Sequence, residues 1–261
     1  MRELFYRMSQ ILVAILALLV FTHTLQANEL KVVYAQGYLP FSWSDEDGQA
    51  QGAEIDFINE IIKKRMGIKV SHHVYPWARA QSMVKKGSAD AFVTIPNAKR
   101  RQYTVVSDIP FFSSNFLMHV GSSNSKISKL KKISSLAQLL TYQDIIHGHI
   151  VGGGWHKLNL KSANLVQKAT NSLQILEMLH RNRIDVYIEQ APLIRYQMKV
   201  LGFEGRIVEL PQVMDETQWH ICISKKSAFV KIVPELNQLL KKMQSDGSLA
   251  QLQKKIFSQY Q

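Results

Sequence analysis

The stretch YPWARA, residues 75 to 80, places Trp77 and Arg79 where a strand-like run, IKVSHHVY, gives way to a helix-like run, RAQSMVKKG. Pro76 suits the first helical turn, because its missing N–H loses nothing there. Arg79 falls in the same turn, where the positive end of the helix dipole disfavours a cation by about 0.3–1 kcal/mol. One reading gives Arg79 to a ligand anion, with Trp77 offering a flat face. The other gives it to an ion pair with Asp90 or Glu54, or to a stack on Trp77. GGGW, residues 152 to 155, also sits where a strand-like run ends. Gly153 and Gly154 let the backbone approach a ligand closely and present free N–H groups to an anion; the bland alternative is a tight turn. Trp155 then either closes over a site or fills a core. Other chemistry is thin. HGH (147–149) and the His72–His73 pair lack the further ligands a zinc site needs, and these histidines are expected to be solvated. There is no phosphate-binding glycine loop and no GxSxG motif. No metal, cofactor or catalytic residue is expected.

The elements that must position these residues alternate in type. LKVVYA (30–35) reads as a strand, AEIDFINEIIKKRMG as an amphipathic helix burying Ile55, Phe57 or Ile58, Ile61 and Ile62, and IKVSHHVY as a strand. The helix from Pro76 and the strand ADAFVTI complete a strand–helix–strand–helix–strand series, the pattern of an α/β unit with a parallel sheet. A second series follows: HIVGGG, NSLQILEMLHRN, RIDVYIEQ, APLIRYQMKVLG and RIVELP. The two series share a faint echo. SMVKKGSADAFV (82–93) aligns without a gap on EMLHRNRIDVYI (177–188), matching Met83 with Met178, Gly87 with Asn182 and Asp90 with Asp185. Gly and Asn are the residues that accept a left-handed helix end. Two similar lobes predict a cleft between them, a favoured place for a ligand.

Composition sets the bounds. Arg2 and Arg7 precede an apolar run, ILVAILALLVF (11–21), too short for a comfortable span, so residues 1–27 are expected to be a cleaved signal peptide that directs the chain to export. An uncleaved anchor is the alternative. The 261-residue chain has 32 Lys+Arg against 20 Asp+Glu, a net charge of +12. Its basic runs KKR (63–65) and KLKK (129–132) lack the interleaved aromatics of single-strand binders, so a solvated basic surface is expected and no nucleic-acid partner. Cys222 is the one cysteine and forms no internal disulfide; it is expected to be a buried thiol.

Several segments, in order, resemble the family 3 extracellular (periplasmic) solute-binding proteins, which include the polar amino acid receptors of ABC importers. These are the aromatic loop and helix start YLPFSWSDEDGQAQGAEIDF, the run KKGSADAFVTIPNAKRRQYTVVSDIPF, and the closing helices SKKSAFVKIVPELNQLLKKMQSDGSLAQLQKKIF. YPWARA resembles a motif of a less characterised branch. The resemblance implies a two-lobed type II fold, each lobe a mostly parallel sheet flanked by helices. Residues 28–118 and 216–261 would form lobe 1 and 119–215 lobe 2, with FLMHV (116–120) and WHICIS (219–224) as hinge crossings. It implies that Arg100, or its neighbour Arg101, grips a ligand carboxylate through its planar fork. The family's hydroxyl contact falls on Asn97, and its stacking aromatic on Tyr38, with Phe41 and Trp43 as core or rim. The family's acidic anchor for a ligand ammonium falls on Gln190; Glu189 is one residue short, and strand alternation turns it to the other face. A carboxylate, a modified amino acid or a small peptide therefore stays open. The implied function is capture of a small carboxylate-bearing solute by closure of the lobes, acting as a monomer with an inner-membrane permease. The alternatives are a receptor feeding a membrane sensor, and a periplasmic dehydratase-like enzyme using Glu189.

Overall fold

A computed structural model describes residues 29–151 and 154–260. The expected signal segment and Gly153 lie outside the described residues.

The first series folds as expected from its periodicity. Strand β1 (Leu30–Ala35) is followed by a small hairpin, β2 (Trp43–Ser44) and β3 (Ala50–Gln51). Helix α1 (Ala53–Ile58) continues as a π-helical stretch, Asn59–Arg65, and buries Ile55, Phe57, Ile58, Ile61 and Ile62. Then come β4 (Val70–Tyr75), α2 (Trp77–Lys86), β5 (Ala91–Thr94), the single turn α3 (Ala98–Arg101) and β6 (Thr104–Val106). The long strand β7 (Phe112–Gly121) leads into a second unit. It holds α4 (Ile127–Leu130), α5 (Leu136–Leu139), β8 (Ile146–Ile150), α6 (Gly154–Asn159), β9 (Leu165–Ala169), α7 (Ser172–His180), β10 (Tyr187–Gln190) and α8 (Ala191–Val200). Strand β11 (Ile207–Ser224) returns, and α9 (Val233–Ser245) and α10 (Ser248–Ser258) close the chain.

The main sheet runs β10-β7-β11-β5-β1-β4, with β6 also pairing β11. β1 is parallel to β4 and β5, and β8 is parallel to β9, as the α/β units require. The antiparallel pairs come from the crossings: β7 and β11 form one ribbon from Ile207 opposite Gly121 to Trp219 opposite Phe112. Each unit thus receives a returning strand, which has to run against its neighbours. Register shifts around Val213 interrupt the ribbon where it passes between units, and such bulges bend and twist a strand. One core cluster gathers side chains from 30–112 and 219–257, including Phe41, Phe57, Phe112, Trp219 and Phe257. Two others gather side chains from 116–214.

The sequence echo has a structural meaning. Gly87 ends α2 at φ 84°, and Asn182, after α7, sits at φ 53°. Backbone N–H groups of Ser88 and Arg183 return to the carbonyls of Met83 and Met178 at 3.0 and 2.8 Å. Asp90 then accepts from the Lys31 N–H and Asp185 from the Ile146 N–H, both at 2.8 Å, while their own N–H groups donate back to the Lys31 and Ile146 carbonyls. Each aspartate therefore ties a helix end to the start of a neighbouring strand. Cys222 is fully buried.

Candidate functional site

Loop 36–42 leaves β1 and folds back on itself, with the Tyr38 and Ser42 backbones paired. Its aromatics are packed by stacking: Tyr38 on Phe41 (ring centroids 5.0 Å), Phe41 on Trp219 (5.2 Å) and Trp219 on Phe112 (5.4 Å). Trp219 comes from the returning crossing strand, so the loop is seated on the hinge ribbon. Gly52 latches the next element onto this loop. Its φ is 122°, and a Cβ there would lie 2.4 Å from the Phe41 carbonyl oxygen. That approach lets Ala53 and Glu54 donate their N–H groups to the Pro40 and Phe41 carbonyls, each at 3.0 Å. α1 therefore starts directly behind the aromatic loop.

A cavity of about 390 Å³ opens in front of these groups, lined by Tyr38, Glu54, Trp77, Thr94, Arg100 and Trp219 among others. Its size falls within the range of small-molecule sites. Trp77 stands in the wall, its ring edge-on to Phe92 at 5.4 Å. The Arg100 guanidinium lies over the Trp77 ring, 5.3 Å from its centroid. Its Nε donates to Gln81 Oε1 (3.3 Å) and its Nη1 to the Ile95 carbonyl (2.7 Å). No carboxylate among the described residues pairs with it, and partial burial lowers its pKa from the usual arginine range. Arg100 is thus a cation held in place by neutral groups, at the wall of a hollow.

Glu54 is the side chain that inspection of the sequence undervalued. Its residue is only 3 % exposed, its carboxyl has no hydrogen-bond donor among the described residues, and burial pushes its pKa up to about 8. In the sequence it appears as one of two acids in the first turn of a helix, where acids are ordinary. The signal was Gly52 two residues earlier, which allows the close approach that buries it.

The second unit reaches the same place through one bond. Gln190 Nε2 donates to the Tyr38 hydroxyl at 2.8 Å, and Gln190 Oε1 is buried without a partner. Glu189 is not turned away as strand alternation predicted: its charge acts on the Tyr38 hydroxyl and opposes its ionisation. The reason is that β10 ends at Gln190, which is also the cap of α8 (φ −59°, ψ 124°). Glu189 folds back to accept from the Gln190 N–H at 2.9 Å and the Tyr187 hydroxyl at 3.0 Å. Burial pushes its carboxyl up to about 6.

Other expected site residues stand apart from the cavity. Arg79 is exposed, its guanidinium 4.5 Å from the centroid of the Tyr75 ring, and makes no ion pair with Asp90 or Glu54. The face of Trp77 carries Arg100 instead. Asn97 caps α3, accepting from the Arg100 N–H at 2.9 Å, so its carbonyl is engaged in setting the arginine's backbone. Gly154 opens α6. Trp155 stacks on Phe116 at 4.6 Å and donates through Nε1 to Asp215 at 2.5 Å, beside the crossing strands. Of the histidines expected in solvent, His147 is buried and His72 partly so, and burial lowers both to about 4. A larger hollow of about 750 Å³ lies along β9 and α7, lined by Lys168, Gln174, Glu177 and Arg181. Its lining includes Arg183 besides Arg181, which is paired with Glu177, but holds no aromatic ring to exclude water from an ion pair, so the chemistry favours the smaller cavity.

Residues 30–259 match the bacterial extracellular solute-binding proteins, family 3. The chain is 23% identical over 224 residues to the L-cystine-binding protein TcyA of Bacillus subtilis (strain 168), covering 85% of this chain and 78% of that one. It is 24% identical over 227 residues to a probable histidine-binding protein of Neisseria gonorrhoeae, covering 85% and 80%. Among solved structures, substrate binding domain 2 of Lactococcus lactis GlnP in its open conformation superposes with a TM-score of 0.66 at 20% identity, covering 91% of this chain and 97% of that one.

Proposed function

The chain belongs to the family 3 bacterial extracellular solute-binding proteins, and from that premise we propose that it captures a small polar, carboxylate-bearing solute of amino acid size in the cavity between Tyr38, Trp77 and Arg100. The observation that carries this reading is the Arg100 guanidinium, stacked on Trp77, half-buried at the cavity wall and with no carboxylate partner among the described residues. A planar fork so placed pairs bidentately with a carboxylate, and the aromatic walls exclude water from that pair. Residues 28–118 and 216–261 are assigned to one lobe and 119–215 to the other. Closure about the β7–β11 ribbon brings Gln190 and Glu189 onto the occupant, the hinge motion of periplasmic binders. Delivery to an ABC-type permease, and residence in the periplasm as a monomer, go with this reading.

The test is a thermal-shift and calorimetric screen of the purified protein, unfolded and refolded to strip any co-purified ligand. The panel holds L-amino acids, short peptides, keto acids and dicarboxylates. A carboxylate-bearing hit should lose at least tenfold in affinity in Arg100→Ala, because a charge-assisted hydrogen bond is worth about 1.5–3 kcal/mol. Unchanged affinity removes Arg100 from the site. Mass spectrometry of the hit after incubation separates capture from turnover; a consumed ligand overturns the binding-protein reading.

A further inference from the structure

The larger hollow lies along a sheet edge that nothing covers. β9 pairs with β8 on one side and with no strand among the described residues on the other. Two bonds fix which way its backbone points. The Val151 N–H donates to the Ala169 carbonyl at 2.9 Å, while the Gly148 N–H turns away from β9, to the Val186 carbonyl at 2.8 Å. Backbone groups alternate from side to side along a strand. Leu165, Gln167 and Ala169 therefore turn theirs to β8, and the N–H and C=O groups of Val166 and Lys168 face the open edge. Along this five-residue strand, Leu165, Gln167 and Lys168 are exposed.

The helix packed on the sheet carries a face beyond this last strand. Ala169 shares a core cluster with Ile175, Leu176 and Leu179 of α7, so by alternation Leu165 and Gln167 are on the α7 side as well. Gln174, Glu177, Met178 and Arg181 form a stripe at helical spacing and line the hollow beside Gln167 and Lys168. Apolar surface is left open here: Leu165 is 41 % exposed, and Leu173, in the first turn of α7, is 51 % exposed. One more strand beside β9 would lie over Met178 and cover part of that surface.

The charges at this edge are one-sided. Lys168 and Arg183 are exposed, and neither has an ion-pair partner among the described residues. Glu177, the acid of the hollow, is taken by Arg181. A lysine on an edge strand discourages pairing with its own kind. A second copy of β9 laid beside the first brings two Lys168 side chains to one ribbon, and like charges across strands are unfavourable. The same lysine favours a strand that carries acids.

We propose that the β9 edge is a docking site for an extended acidic segment of a partner protein, which adds as a further strand of this sheet. Its apolar side chains lie over Leu165 and Met178, and its acidic ones turn toward Lys168 and Arg183. Main-chain bonds to Val166 and Lys168 hold the segment, and the side chains select it, as in other strand-addition complexes. The site is separate from the cavity of Tyr38, Trp77 and Arg100, and the inference does not depend on what that cavity holds.

The probes are labelled synthetic peptides of about ten residues, long enough to span an edge strand. One alternates glutamate with valine, one alternates lysine with valine, and the third is the glutamate peptide N-methylated throughout its backbone. Fluorescence anisotropy measures affinity for the native protein, Val166→Pro and Lys168→Glu. Proline is tolerated on an edge strand where the lost N–H faced solvent, so Val166→Pro should keep its Tm while blocking the edge. The glutamate peptide should bind the native protein at least tenfold more tightly than either of the others. Each variant should weaken it at least tenfold, and amide hydrogen exchange at Val166 and Lys168 should slow at least tenfold when it is bound. If Val166→Pro does not fold, Lys168→Glu and the exchange rates decide the matter. No binding at millimolar peptide overturns the proposal, as does an affinity unmoved by Lys168→Glu. Equal binding of the N-methylated peptide, or unchanged exchange at Val166 and Lys168, overturns it in favour of charge attraction without strand addition. A dimer in sedimentation that disappears in Val166→Pro overturns it in favour of a second copy of this chain.

Discussion

Replacing Glu54 by glutamine should stabilise the empty protein in a way that depends on pH. The carboxyl ionises at 4.5 in the unfolded chain and at about 8 in the folded one, because burial opposes the charge. Between those values the folded state keeps a proton that the unfolded state has lost. Stability then falls by about 1.36 kcal/mol for each pH unit. The sign is that of a raised pKa: this contribution is fully present below 4.5 and is lost as pH rises through 8. Over that window the loss reaches about 5 kcal/mol, a large share of the total stability of an ordinary domain. Glutamine does not titrate. Its buried amide costs about 1–3 kcal/mol at every pH if it finds no partner. Glu54→Gln should therefore equal or trail the native protein at pH 4.5 and exceed it by about 2–4 kcal/mol at pH 8.5. Urea unfolding of both proteins at several pH values between these limits measures the difference, and the contributions of Glu189, Asp56 and the histidines cancel in it. Parallel stability curves for the two proteins would refute the reasoning, since they would mean that Glu54 is ionised and compensated in the folded state.

Other outcomes follow from the same structure. Gly52→Ala should lower stability by about 3 kcal/mol or more, seen as a fall in Tm, because it combines an unfavourable φ with a 2.4 Å approach to the Phe41 carbonyl; a Tm within a degree of the native value would show that the loop yields. Asp90→Ala and Asp185→Ala should each cost about 2–4 kcal/mol in denaturant unfolding, since each strands a strand N–H and at least one side-chain donor. A large cost for one alone would break the equivalence of the two units. Arg79→Ala should move Tm by no more than an exposed cation–π contact does, about 0.5–1 kcal/mol, and leave ligand affinity within twofold; a tenfold loss of affinity by calorimetry would return Arg79 to the site. Gln190→Ala should change ligand affinity by removing the bond to Tyr38 that links the two units, and an affinity equal to that of the native protein would show that this contact is irrelevant to the bound state.

Much of the architecture was legible because it rests on local rules. Apolar periodicity located α1 and the buried strands, and glycine and asparagine marked the left-handed ends after α2 and α7. The aspartates that follow them could be paired by alignment because the same short turn needs the same acceptor for a strand N–H. Trp77, Tyr38 and Arg100 were singled out in the sequence by their place after strands and by resemblance, and they line one cavity. For Arg79 a helix-dipole argument says that a cation is poorly placed, and not what it touches; its guanidinium lies over the Tyr75 ring, two residues before the helix start. Glu189 misled because alternation holds only while a strand continues, and β10 stops at Gln190 to begin a helix.

What the sequence by itself determined is the order of elements, the two α/β series and the family, since these depend on periodicities and turn residues that act over a few positions. What the tertiary structure decided is which ionisable groups are left without an ion-pair partner among the described residues. Arg100 and Glu54 are ordinary residues in the sequence, one in a basic cluster and one in an acidic first turn. Their chemistry comes from long-range contacts: Trp77 and Gln81 hold the guanidinium without neutralising it, and the approach of Gly52 to Phe41 buries the carboxyl. Desolvation depends on everything packed around a group, so no local pattern could have announced it.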